Sequence, residues 1–326
     1  MKKVLIAILL LGLLPHASAD YIHWVDFRLS APVLRSALEL DMASQGGEQP
    51  LDWIDILALA AAWRGGTGVT VADTQRAAQA LRGDTPPERL PGMAGRFFSY
   101  YRAAYGAALG GLVGHFAIRR TDPQTGEAEW IPAYGLKAFS PIAAGYPWSH
   151  YPDFGAQRSY GYARPHLGND ILGALGTPIC AVEGGTVEAL GWNRYGGWRI
   201  GIRSDDRKRY YYYAHLRKDT PYAEGLAVGQ RVQAGDVIGF MGRTGYSAQE
   251  NVNNIETVHL HFGLQLIFDE SQKECDSEIW IDVYPIIELL ASHCSSVARD
   301  PQTGRWERLY PYCDLDAEPL RSAAAR

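Results

Sequence analysis

Between residues 31 and 109 the apolar positions recur at helical spacing. Ser30 stands before Ala31-Pro32, an N-cap residue with proline in the first turn, and Val33, Leu34, Ala37, Leu38 and Met42 follow as one stripe until Gly46-Gly47 stops it. Leu51 to Trp63 is rich in Ile, Leu and Ala and ends at Gly65-Gly66; Thr70 to Leu81 and Met93 to Leu109 predict two further helices. Near residue 113 the period changes. His115-Phe-Ala-Ile118 and Trp130-Ile131 flank Asp122-Pro-Gln-Thr-Gly126, a reverse-turn sequence with proline early and glycine late. From about 132 to 292 short apolar runs alternate with Gly, Asn and Asp turns, and helical periodicity is absent until Trp280 to Ala291. The pattern predicts an α+β chain: an N-terminal helical accessory region over 20–112, then a mainly antiparallel β domain over 113–292 with a hairpin lead-in at 113–131, and a C-terminal extension over 293–326. The turn sequence recurs as Asp300-Pro-Gln-Thr-Gly304, but nothing around it repeats, so no internal repeat is read from it.

The first 19 residues stand apart. Lys2 and Lys3 precede an apolar run from Val4 to Leu14, then Pro15 and Ala17-Ser18-Ala19, which is the charged, apolar and small-residue order of a cleavable signal peptide. The run is too short for a comfortable membrane span, and no other stretch reaches about 18 uninterrupted apolar residues. The expectation is therefore an exported protein of the cell envelope or the extracellular space, with no stable membrane insertion after cleavage.

Charge narrows the partners. Lys+Arg 31 against Asp+Glu 36 gives a net charge of −5, and cleavage removes two lysines more. No basic excess exists to neutralise phosphates, so a nucleic-acid partner is not expected. Export permits disulfides. Cys180, within Thr177-Pro-Ile-Cys-Ala-Val182, reads as a buried thiol on a strand, whereas Cys294 and Cys313 bracket a C-terminal segment and could pair; Cys275 is the fourth cysteine. No C-x-x-C spacing occurs, so neither a cysteine zinc site nor a thioredoxin-like motif is indicated.

Four histidines and one aspartate in the β domain fall in three separated places. His166 and Asp170 lie four apart in Arg164-Pro-His-Leu-Gly-Asn-Asp170, where Pro165 and Gly168-Asn169 argue for extended or loop backbone. In Tyr210-Tyr-Tyr-Tyr-Ala-His-Leu216 a strand period of two predicts Tyr211, Tyr213 and His215 on one face. In Val258-His-Leu-His-Phe-Gly-Leu-Gln-Leu266 alternation is complete: Val258, Leu260, Phe262, Leu264 and Leu266 make an apolar face, and His259, His261, Gly263 and Gln265 the other. Imidazoles with a carboxylate are the usual ligands of a catalytic zinc, which keeps three protein ligands and one open position. Remaining histidines beside such an ion can move protons or stabilise an oxyanion. Spacing alone does not separate ligands from catalytic histidines.

These residues resemble a known family. His166-Leu-Gly-Asn-Asp170, then Gly176-Thr-Pro-Ile-Cys-Ala181, Tyr213-Ala-His-Leu216 and His259-Leu-His261 are similar in order and context to the lysostaphin/LytM-type zinc metallopeptidases, the peptidoglycan endopeptidases, over roughly residues 130–290. Val228 to Gly239 is similar to that family's glycine-punctuated hairpin. The resemblance implies one Zn²⁺ held by His166, Asp170 and His261, with His215 and His259 serving catalysis. It implies hydrolysis of peptide bonds in peptidoglycan stem peptides or cross-links by zinc-activated water, one catalytic histidine taking a proton and the other stabilising the oxyanion. One departure is visible, since the residue before the last motif is commonly proline and here is Val258. The competing expectation is a non-catalytic wall-binding or regulatory protein on the same fold. The resemblance leaves the helical region unexplained.

Two aromatic or polar segments admit two readings. Trp192-Asn-Arg-Tyr-Gly-Gly-Trp198 suits either a groove wall or a hairpin with a packed aromatic pair, and Asn251-Val-Asn-Asn254 reads as a polar turn. His23, His115, His150 and His293 have no partners at ligand spacing and are expected to be structural or exposed; His16 leaves with the signal peptide.

Overall fold

Local chemistry sets where the helices begin and end. In the computed structural model, which describes residues 21–273 and 277–317, they are α1 (Ala31–Ser44), α2 (Trp53–Arg64), α3 (Val71–Leu81) and α4 (Met93–Leu109). The Asp52 carboxylate accepts the Ile54 N–H at the start of α2, and Thr70 and Asp73 form a reciprocal capping box on α3. Gly65 ends α2 at φ 63°, where glycine carries no Cβ penalty. Ser30 sits at the N-cap of α1, but its hydroxyl makes no capping bond, and the first turn relies on Pro32 instead. Ile56, Leu57, Ala58, Leu59, Ala60 and Ala61 of α2 are all buried, as expected of a helix apolar on every side that runs through the middle of its layer. The predicted signal peptide and Cys275 lie outside the described residues.

The β portion opens with a hairpin, β1 (Val113–Thr121) against β2 (Ala128–Leu136), to which Tyr312–Asp314 adds on the far side of β1. Asp122 Oδ1 accepts the N–H groups of Gln124 and Thr125 at the tip. Asp300 Oδ1 does the same for Gln302 and Thr303, in the hairpin that joins Val297–Arg299 to Trp306–Arg308. The repeated five residues thus encode the same turn twice.

The larger sheet holds β3 (Trp148–His150), β4 (Asn169–Gly173), β5 (Gly185–Asn193), β6 (Gly197–Ser204), β7 (Arg209–Ala214), β8 (Arg231–Val232) and β9 (His259–Leu266). Its order is β8-β5-β6-β7-β9-β4-β3, every pairing antiparallel, with Ile279–Trp280 added beside β9. Pleat alternation divides it into two faces. Ile200, Ile202, Tyr211, Tyr213, Leu260, Phe262 and Leu264 are buried on one. Arg199, Tyr212, Ala214, His261 and Asp170 belong to the other.

A buried polar link ties the helices to this sheet. Arg209 Nε and Nη2 donate to the two oxygens of Glu183 at 2.7 and 3.0 Å, and the Tyr211 hydroxyl donates to Glu183 at 2.6 Å. Arg209 Nη1 reaches the Ala107 carbonyl at the end of α4 at 2.8 Å, and at 3.3 Å the Gly106 carbonyl, which also accepts the Gly110 N–H.

Three expectations change. The segment 280–291 is helical only over α5 (Tyr284–Leu290), because pairing with β9 holds Ile279–Trp280 as strand. The Val228–Gly239 run does not fold back on itself. A turn at Gly235, φ 83°, sends Val237–Phe240 to Pro178–Cys180 while Arg231–Val232 pairs with β5. Cys294 and Cys313 are not paired with each other: Cys180, Cys294 and Cys313 are free thiols, Cys180 fully buried on its strand as expected. Among the described residues no helix is long and apolar enough to cross a membrane.

Candidate metal centre

The alternation of β9 delivers its histidines as the sequence predicts. Leu260, Phe262, Leu264 and Leu266 are buried, which fixes the register and sends His259 and His261 to the opposite face. His261 lies across from Asp170 on β4, so the strand pairing itself brings imidazole and carboxylate together. His166 reaches the same point from the extended segment leading into β4. His166 Nε2 stands 2.8 Å from His261 Nδ1 and 2.9 Å from Asp170 Oδ1, and His261 Nδ1 stands 3.1 Å from Asp170 Oδ1. Among the described residues, these three form a group whose donor atoms could hold one metal ion.

Each of the three is restrained from behind. Asp170 Oδ2 accepts from Arg158 Nη2 at 2.9 Å, leaving Oδ1 to the centre. His166 Nδ1 faces the Asp153 carbonyl at 3.1 Å and its carboxylate at 3.2 Å, which orients the ring with Nε2 inward. Asn169 Nδ2 donates to Asp153 Oδ1 at 2.8 Å, and His150 Nδ1 meets Asn169 Oδ1 at 2.7 Å. Gly168 leaves room for the His261 ring: a Cβ there would lie 2.7 Å from both His261 Cε1 and the Phe262 carbonyl. Two imidazoles and a carboxylate, converging with outer partners and an open side, are a donor set that suits zinc.

Electrostatics follow from this crowding. Burial alone would raise Asp170, but the bonds to His166 and His261 hold it well below the usual carboxylate range. Burial disfavours charge on His166, yet Asp153 and Asp170 push its pKa up to about 9. His261 is lowered by burial, against the pull of Asp170.

His215 arrives by a different route from the expected one. Strand β7 ends at Ala214, and His215 takes φ 61°, a left-handed conformation uncommon for a residue with a Cβ. That turn carries its side chain round to the face of Ala214, while Tyr211 and Tyr213 point into the core; the predicted shared face is therefore corrected. His215 Nδ1 bonds the Thr244 carbonyl at 2.9 Å, and His259 Nδ1 bonds the Thr257 carbonyl at 2.9 Å. The ring centroids of His215 lie 4.8 Å from His259 and 5.8 Å from His261. Burial, with the neighbouring imidazoles, pushes the His215 pKa well below its ordinary value.

His166, Asp170, His215 and His261 line a groove of about 570 Å³ whose described lining runs from Arg158 to Trp280 and includes no residue of the helical region, while His259 stands behind His215 rather than on the lining. The groove walls include Tyr195, within the segment read as a candidate groove wall, and Tyr212 and Tyr246, which sequence reasoning did not single out. Tyr212 carries a period-two signal on the even-numbered face of β7, hidden by phasing the strand on His215. Asp153 and Arg158 carry no such signal, since they reach the site through chain folding. The Trp192–Trp198 segment combines both of its readings. The two indoles stack edge to face, centroids 5.7 Å apart, and donate to Ser247 and Asn251, while Asn193, Tyr195 and Gly196 line the groove. Asn251 is a structural turn residue, bonded to Trp198 and Asp219.

The sequence profile described as Peptidase family M23 matches residues 164–274, which contain all five candidate residues. The chain carries a peptidase family M23 domain. The chain is 35% identical over 177 residues to the L-Ala--D-Glu endopeptidase of Bacillus subtilis, covering 51% of this chain and 52% of that one. It is 37% identical over 98 residues to lysostaphin of Staphylococcus simulans, covering 30% of this chain and 17% of lysostaphin. The chain thus spans about half of the first relative and under a fifth of the second. A solved structure of the lysostaphin catalytic domain from S. simulans is 29% identical, with a TM-score of 0.32, over 44% of this chain and 92% of that one. The first of these relatives is named an endopeptidase, and the solved domain is named the catalytic domain of an antimicrobial peptidase.

Proposed function

We propose that the chain is an exported zinc metalloendopeptidase that hydrolyses peptide bonds in peptidoglycan stem peptides or cross-links. In this reading residues 1–19 are a signal peptide, 20–112 a helical accessory region, 113–292 the peptidase domain and 293–326 an extension. His166, Asp170 and His261 hold the ion; His215 and His259 are the catalytic histidines. The observation that carries the reading is the convergence of His166 Nε2, Asp170 Oδ1 and His261 Nδ1 at a groove lined by the His215 imidazole, with His259 beside it.

Zinc, when bound, supplies a Lewis acid for a carbonyl oxygen and lowers the pKa of a water to about 7. The chain supplies positioning and proton transfer. Arg158 and Asp153 keep Asp170 and His166 aimed at the centre. His215 and His259 each spend Nδ1 on a main-chain carbonyl, which fixes Nε2 as the free nitrogen of the neutral ring. One Nε2 takes a proton from the water nucleophile, and the other, protonated, donates to the carbonyl oxygen as it gains charge. The groove holds the peptide extended past these atoms.

Digestion of purified peptidoglycan tests the reading. New amino groups and shortened muropeptides, abolished by a chelator and restored by zinc, are expected. Bound zinc without cleavage would support a wall-binding role instead.

A further inference from the structure

The cations that face the groove divide into two kinds. Arg158 is paired with Asp153 and Asp170, and Lys273 with Glu188. Arg164 and Arg199 have no carboxylate partner among the described residues. The Arg164 guanidinium is nonetheless well housed, donating to the Tyr160 carbonyl at 2.7 Å and lying 4.6 Å from the centroid of Tyr195. Arg199 has neither comfort. Among the described residues its Nε, which is buried, has no hydrogen-bond partner, and the side chain stands half-buried in the groove lining beside Tyr212. A partly desolvated guanidinium left without acceptors is costly, and buried polar groups of this kind normally find partners.

Register places this cation close to the centre. Tyr213 pairs with Ile200 and Ala214 with His261, so Arg199 follows next to Ala214, in the row that continues through His261 to Asp170. Two strand spacings, roughly 10 Å, separate the backbones of Arg199 and His261. An extended peptide advances about 3.3 Å per residue, and an arginine side chain reaches over much of the interval. The guanidinium therefore addresses a substrate residue within one or two positions of the bond over the metal ligands. Its planar donor fork suits a carboxylate, which it can bind through two parallel hydrogen bonds.

Resting on the endopeptidase reading, we propose that Arg199 forms a carboxylate subsite, so that the groove selects peptides bearing a free acidic group beside the scissile bond over neutral ones such as glycyl-glycine. Four peptides separate the possibilities: one with an acidic side group next to the scissile bond, its side-chain amide, a neutral peptide ending in a free carboxylate at that position, and pentaglycine. With the zinc-supplemented protein, kcat/KM for the acidic peptide should exceed that for the amide by about tenfold or more, carried by KM. Arg199→Gln should bring this ratio to about one, and Arg199→Lys should retain part of it. Preference for the free-terminus peptide would place the carboxylate at a chain end rather than on a side group. Equal rates for acid and amide in the unmodified protein, or an undiminished ratio in a folded Arg199→Gln, would overturn the subsite. If no peptide is cleaved, the endopeptidase reading fails by itself. Calorimetric binding of acid against amide then decides the subsite without turnover: tighter binding of the acid supports it, and equal binding overturns it.

Discussion

The imidazoles of His215 and His259 lie with centroids 4.8 Å apart, each anchored through Nδ1 to a main-chain carbonyl at 2.9 Å. Neither ring is needed to converge the three donor atoms of the candidate metal centre. His215→Ala should therefore leave zinc content unchanged and reduce turnover by on the order of 10²–10⁴. Elemental analysis beside a rate measurement on peptidoglycan checks this. Loss of zinc in His215→Ala would reassign the residue.

Gly168 is pressed against the ring that carries a donor nitrogen. A methyl group there would meet His261 and the Phe262 carbonyl at 2.7 Å, and because one neighbour is backbone it has little freedom to retreat. Gly168→Ala should weaken zinc binding by about tenfold or more by displacing the ring. Competition with a metal-binding dye reads the affinity. Unchanged affinity would show that the ring tolerates the shift.

Glu183 holds Arg209 in a place where the guanidinium is almost fully buried. Glu183→Gln removes the carboxylate charge opposite it and leaves Asp206 as its carboxylate partner among the described residues, beside the α4 carbonyls. Stability should fall by about 3 kcal/mol, the low end for breaking a buried pair. Urea unfolding measures it. Arg209 pairs with Leu266, at the opposite end of β9 from His261, so the folded fraction should bind zinc as before.

Asp73 closes the capping box on α3 and accepts from Arg64 Nε at 2.9 Å. Burial opposes ionisation, but the bonds from Arg64 and Thr70 prevail and depress its pKa. A depressed folded pKa means that the stabilisation is present above the unfolded value of 3.8 and fades as pH falls through the lower folded value. Asp73→Asn should cost about 1 kcal/mol at pH 7, and the gap should narrow below about pH 4. A gap independent of pH would point to shape rather than charge.

Legibility in the sequence tracked how local the determining physics is. The strand from His259 was readable because five apolar residues alternate with polar ones, and burial of that face settles the other. The helices were readable from Asp52, Thr70 and Gly65, whose effects act within one turn. His215 was placed on the wrong face because a single positive φ after Ala214 breaks the period of two. Asp153, Arg158 and Arg199 are not legible at all. Chain folding brings Asp153 to His166 and Arg158 to Asp170, and pairing across the sheet brings Arg199 to the groove.

The most direct test is zinc stoichiometry measured together with peptidoglycan cleavage, in the unmodified protein and in Asp170→Asn and His261→Ala. One zinc per chain with amino-group release in the unmodified protein, and loss of both in the two variants, is the expected result. A variant that cleaves at the normal rate without zinc, or that keeps a full equivalent of zinc, would contradict the assignment of His166, Asp170 and His261 as the metal centre.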